Sequence, residues 1–134
     1  MKFLSNLSQL LKVAFFLFIS VTTVFSHSQT PTKFGGKEDK LNSISTKRIK
    51  IVPISIQNLN SYKQQYHILV DNQKVGTTDK LNKHQVLKLK VPVMINEKNT
   101  LETHNICTLS IPNSKKEMFK TKICTKVYLY WIQK

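Results

Sequence analysis

Two cysteines, three histidines and seven carboxylates are the residues beyond position 28 whose side chains could do more than pack. Cys107 and Cys124 are the only cysteines, and sixteen residues lie between them. Redox dithiols usually stand closer, as in Cys-x-x-Cys, with a lowered pKa. A pair this widely spaced reads as a structural disulfide if the chain folds in an oxidising compartment. His104 stands three residues before Cys107, a spacing that two metal ligands could use. No fourth ligand sits at a recognisable distance, so no metal site is expected. The carboxylates are Glu38, Asp39, Asp71, Asp79, Glu97, Glu102 and Glu117, all in expected turns, tails or hairpin ends. A glycosidase pair would have to be assembled from these. A hydrolase would need Asp71, His67 and His84 in one cleft. Gly-x-Ser-x-Gly, His-Glu-x-x-His and a phosphate-binding glycine loop are all missing. The expectation is therefore a non-enzyme without a cofactor.

Binding chemistry is better represented. Tyr128 and Tyr130 alternate with Lys126 along one strand face, a basic-aromatic strip that would suit a glycan or an anionic peptide. Lys88 and Lys90 form the wet face of another strand. These five residues are the expected binding surface. The chain carries 21 basic and 7 acidic residues, a net charge of +14. Such a field attracts anionic partners. Arg48 is the only arginine, and arginine forks are the usual readers of bases and phosphates. Nucleic acid is thus not an expected partner.

The elements that must position these residues read as strands. Ile49 to Ile56 is rich in β-branched residues, and Pro53 places it at a sheet edge or at a bend. Tyr62 to Val70 follows, with Tyr66, Ile68 and Val70 on one face; Asp71-Asn72 supplies a two-residue turn, and Lys74 to Thr78 returns. The seven residues Val70 to Gly76 resemble the hairpin of PEGA-type modules, small extracytoplasmic β domains, with Asn72 where a glycine is usual. Gln85 to Val93 alternates cleanly: Leu87, Leu89, Val91 and Val93 face one way and the lysines the other, with Pro92 again marking an edge. Thr100 to Ile111 and Met118 to Ile132 form a long hairpin closed by Pro112 to Glu117. If Cys107 opposes Cys124, Leu109 faces Lys122, Ile111 faces Lys120 and Asn113 faces Met118. The last strand is apolar on both faces, with Val127, Leu129 and Trp131 against Tyr128, Tyr130 and Ile132, which places it inside its sheet. No stretch after residue 28 has helical periodicity.

The compartment comes from the N-terminus. Lys2 and Lys12 flank a short basic start, Val13 to Phe25 is apolar and uncharged, and Ser26-His27-Ser28 is small and polar. That order is a secretory signal peptide, cut after Ser26 or Ser28. Thirteen apolar residues fit a signal core better than a spanning helix of roughly 20. An uncleaved segment would instead anchor the chain in a membrane.

The expected organisation is a signal peptide (1–28), a flexible polar linker (29–47) and an all-β domain (48–134). That domain is a small immunoglobulin-like β-sandwich of six to seven strands with one disulfide. The expected function is a secreted or periplasmic binding or accessory module contacting a protein or an anionic envelope polymer. The alternatives are an inhibitor or immunity-type protein blocking a secreted enzyme through Pro112 to Glu117, and a small hydrolase.

Overall fold

The computed structural model describes residues 26–115 and 119–133. Most of the expected signal segment, and part of the 112–117 loop, lie outside the described residues. Among those described, the elements in chain order are β1 (His27–Thr30), β2 (Lys33–Phe34), α1 (Lys40–Ser43), β3 (Ile44–Ser45), β4 (Ile49–Asn58), β5 (Gln65–Val70), β6 (Gln73–Thr77), β7 (Val86–Met94), β8 (Leu101–Ile111) and β9 (Lys122–Trp131). Sheet A has the order β1-β4-β7; sheet B runs β2-β9-β8-β5-β6, with β3 also on β9. The protein is an all-β, immunoglobulin-like sandwich with one disulfide. Its six long strands lie where hydrophobic alternation places them, and the short β1, β2 and β3 add to that set.

Period-2 patterning builds the core directly. Val52, Ile54 and Ile56 of β4 and Val91 and Val93 of β7 point in from sheet A, and Ile106, Val127 and Leu129 point in from sheet B. Phe34 and Ile95 join them, and Tyr66 and Leu81 form a second cluster with Ile56. The β9 strand lies between β8 and the β2 and β3 segments, so both its edges are occupied, in keeping with its two apolar faces. Pro53 lies on β4 beyond the reach of β1, which pairs only from Ser55 to Asn58, and Pro92 lies on the outermost strand of sheet A. Both prolines therefore occupy positions with one free side, the situation a missing N–H tolerates.

The β8–β9 hairpin follows the expected register, and the β5–β6 hairpin turns where expected, with a register shift between Ile68 and Leu69. Asp71 and Asn72 both have positive φ (49° and 68°), as a two-residue turn demands. The β8–β9 ladder runs from Leu101↔Tyr130 to Leu109↔Lys122, with Cys107 opposite Cys124. Ser110 N–H then bonds the Thr121 carbonyl, and Met118 falls outside the described residues. The Cys107–Cys124 Cα atoms are 4.0 Å apart, and the two cysteines are joined as a disulfide.

The 29–47 segment differs from the expected linker. It supplies half of β1, all of β2 and β3, and α1. The chain pairs with β4 through Thr30, crosses to the other sheet over Pro31 and Thr32, and there pairs with β9. Composition concealed this because the buried groups are polar. Gln29 is 4% exposed; its amide donates to the Ile106 carbonyl (2.8 Å) and to Thr125 Oγ1 (2.7 Å), and its Oε1 accepts from Thr108 Oγ1 (2.7 Å). A satisfied polar layer carries no hydrophobic signal. Gly35 (φ +73°) brings this segment close to β9: a Cβ there would strike the Tyr128 carbonyl and Ser43 Oγ.

Candidate binding surfaces and the His104 cluster

The five residues expected to form one binding surface divide between two faces. Lys126, Tyr128 and Tyr130 point outward from β9 in sheet B, whereas Lys88 and Lys90 point outward from β7 in sheet A. The sandwich core lies between the two sets, so they do not make one site.

On sheet B, the Lys33 and Lys126 ammonium groups lie 5.4 and 5.6 Å from the Tyr128 ring centroid. Lys33 is delivered by β2, which pairs Lys33 with Lys126. The strip is thus richer in cations than β9 alone suggests. Lys98 sits 5.2 Å from the Trp131 ring. Cation–π pairs of this exposed kind are worth about 0.5–1 kcal/mol each. The disulfide lies on this same outer face, since Cys124 alternates with Lys122 and Lys126.

On sheet A, the outer face is more apolar than sequence reading anticipated. Cross-strand register pairs Ile49 with Met94, Ile51 with Pro92, Pro53 with Lys90 and Ser55 with Lys88. Ile49, Ile51 and Met94 are 53%, 49% and 51% exposed. Together with Pro53 and Pro92 they make a contiguous apolar patch rimmed by Lys88 and Lys90. Each of these side chains alternates with a core residue, but only the β4–β7 register shows that they cluster. Among the described residues no strand pairs with the far side of β7, and none pairs with Ile49 to Ile54 of β4 on the side away from β7. Leu87 and Leu89 are only half-buried beneath the same edge.

Asp71 does not meet His67 or His84 in a hydrogen bond. Its Oδ2 lies 2.7 Å from Nδ1 of His104, and its Oδ1 accepts from the Asn105 N–H at 2.8 Å. The other ring nitrogen, Nε2, lies 3.0 Å from Glu102 Oε2. His104 is buried at 4% exposure on the inner face of β8, so the partnerless histidine of the sequence is held between two carboxylates. An imidazole can serve both as a donor only when both nitrogens carry protons. Burial tends to raise the Glu102 pKa, but N–H bonds from Asn96 and Glu97 and the His104 contact outweigh it and hold the carboxyl below its ordinary range. The cluster fastens the β5–β6 turn and the 96–97 turn to β8. A shallow hollow of about 390 Å³ lies over it, lined by Asp71, Asn96, Glu97, Glu102, Thr103 and His104. No serine or cysteine lines that hollow as a nucleophile, and among the described residues no group of three or more His, Cys, Asp or Glu residues could hold a metal ion. The His104–Cys107–Cys124 set is split, because His104 faces in and Cys124 faces out.

His67 bonds Thr77 Oγ1 at 3.0 Å on the outer face; partial burial first, then Lys74 and Lys120, hold its pKa below the ordinary value. A larger hollow of about 620 Å³ opens beside the loop end of the β8–β9 hairpin, lined in part by Tyr62, Ile111, Pro112, Phe119 and Lys120.

No family model matches the chain, and no curated protein matches its sequence. The fold defines the class: an immunoglobulin-like sandwich. Solved structures share it. The Escherichia coli chaperone DraB superposes with a TM-score of 0.57 at 14% identity, covering 80% of this chain and 56% of that one. A chain in the structure of the Salmonella enterica SafA pilin in complex with the SafB chaperone gives a TM-score of 0.57 at 14% identity, covering 83% and 57%. This chain thus spans little more than half the length of either, and at such identity the likeness is one of fold.

Proposed function

We propose that the protein is a non-enzymatic binding module of the secreted or periplasmic compartment, and that it holds an extended, acidic segment of another protein against sheet A. The observation that carries this reading is the coincidence of two features: a β7 edge with which no described strand pairs, and the exposed Ile49–Ile51–Pro53–Pro92–Met94 patch with its lysine rim. A strand added to β7 would find main-chain partners along that edge and apolar contacts beside it. Lys88 and Lys90 favour carboxylates on the incoming segment and disfavour a second copy of a chain whose net charge is +14. The fold likeness to a chaperone and to a chaperone–pilin complex supports a protein partner.

A photo-crosslinking residue at Met94, with a second chain labelled at Tyr128, tests the reading in the native envelope. We expect one acidic partner protein captured from Met94 and lost when Ile51→Glu and Lys88→Glu are introduced. Equal capture from Tyr128, or capture indifferent to those changes, would refute the assignment of sheet A. A second reading, adhesion to an anionic envelope polymer, draws on the two ammonium groups over the Tyr128 ring. It requires salt-sensitive retention on isolated envelope that Lys33→Glu and Lys126→Glu abolish.

A further inference from the structure

Two peptide bonds are open to the export peptidase by sequence, Ser26–His27 and Ser28–Gln29. Small residues at the first and third positions before the cut are preferred. By that rule the later bond is better, because Ser28 and Ser26 occupy both positions, whereas the earlier one has Ser26 and Val24. The fold ranks them the other way.

His27 is 1% exposed, and its ring lies against Tyr66 with centroids 4.6 Å apart. Its Nε2 bonds Thr108 Oγ1 at 2.9 Å. Thr108 in turn donates to Gln29, so Nε2 must carry the ring proton and Nδ1 accepts from the Ser26 hydroxyl at 3.1 Å. Along the backbone, His27 and Ser28 contribute two of the four β1–β4 register pairs, with Asn58 and Gln57. A cut after Ser28 would remove both pairs, leave an imidazole-sized hole beside Tyr66, and strip Thr108 of a partner.

A cut after Ser26 costs much less. It removes the Ser26 hydroxyl contact and the Ser26 carbonyl that accepts the Leu59 N–H at 3.2 Å. Leu59 is only half-buried, so water can replace that acceptor. A cut before Ser26 would keep every contact but would place Phe25, a large residue, directly before the scissile bond.

We propose that the Ser26–His27 bond is the processing site and that the mature chain begins at His27. Hydrolysis by the signal peptidase of the exporting membrane adds water across this amide: hydroxide goes to the Ser26 carbonyl carbon and a proton to the His27 nitrogen. The products are the carboxylate of the released leader and an ammonium at the start of β1. The inference rests on the export-signal reading of residues 1–25 and is independent of the sheet A proposal.

The test is to express the full 134-residue chain in a secreting host and to determine the intact mass and N-terminal peptide of the exported protein. Mass spectrometry is needed because an N-terminal glutamine, the product of the rival cut, cyclises and blocks stepwise degradation. A mass matching residues 27–134 is the expected result. A chain beginning at Gln29 overturns the site while leaving the export signal intact. An uncut chain overturns both, and any other N-terminus overturns the site.

Discussion

Removing the disulfide is the perturbation whose magnitude the structure defines best. Cys107 and Cys124 are 17 positions apart, and the β8–β9 hairpin already pairs them across the ladder. In the chain-entropy model a loop of that length contributes about 3 kcal/mol by restricting the unfolded chain. Small domains have about 5–15 kcal/mol in all, so the staple is a large fraction of the total. For a domain of this size that corresponds to a fall in Tm on the order of 10–20 °C. Because β8 and β9 keep their backbone ladder and the disulfide faces outward, the C107A/C124A variant should retain the native far-UV spectrum at 20 °C. Equilibrium unfolding in guanidinium chloride, run on the oxidised protein, on the reduced protein and on the double variant, measures the term. The reduced and double-variant curves should coincide, displaced from the oxidised curve by about 3 kcal/mol. A displacement below about 1 kcal/mol would refute the entropic reasoning. A double variant much less stable than the reduced protein would instead mean that side-chain packing carries the effect.

Further outcomes follow from other parts of the fold. Burial pushes the His27 pKa down to about 4 from its ordinary 6.5, against the raising effect of the Thr108 backbone. Stability is then full above pH 6.5, where the ring is neutral folded or unfolded. It falls as pH drops toward 4, because the unfolded ring takes up the proton first. Urea unfolding at pH 7 and pH 4.5 should show a loss of roughly 2–3 kcal/mol that His27→Gln removes; an unchanged pH difference in the variant would exclude His27 as the source. Asn58 is buried, with its amide donating to the Tyr62 and Leu81 carbonyls at 2.8 and 3.0 Å and its Oδ1 accepting from Tyr66 at 3.2 Å. Asn58→Ala should therefore cost roughly 2–4 kcal/mol by denaturant titration, whereas Tyr66→Phe should cost only about 1 kcal/mol. Gly35→Ala meets the Tyr128 carbonyl and an unfavourable φ together, and calorimetry should show a fall of about 1–3 kcal/mol. Ile51→Glu, on the exposed patch, should change stability by less than about 0.5 kcal/mol while abolishing capture from Met94.

The strands that alternate apolar and polar residues were legible in the sequence. Leu87 to Val93 and Val127 to Trp131 carry their own faces, because a strand's period of two assigns each side chain a side before any partner is known. The β8–β9 register was equally legible, since the cysteine pair pins it, and so was the Asp71-Asn72 turn; the register shift between Ile68 and Leu69 was not. Chemistry that depends on residues distant in sequence was not. His104 looked partnerless because Asp71 approaches it from 33 positions away. The polar stretch around Gln29 looked like a linker because its hydrogen-bond partners, Thr108 and Thr125, lie roughly 80 to 100 positions later.

The candidate surface divides in the same way. Composition alone establishes an excess of lysine, and alternation alone turns Lys88, Lys90, Lys126 and Tyr128 outward. Whether outward residues share a face is a matter of which sheet each strand joins. The β4–β7 register gathers Ile49, Ile51, Pro92 and Met94 into one patch, while the core separates the lysines of β7 from the tyrosines of β9. Local pattern determines which way a side chain points, because backbone geometry is local. Only tertiary pairing decides what it stands beside, because strand neighbours are chosen by the burial of the whole core.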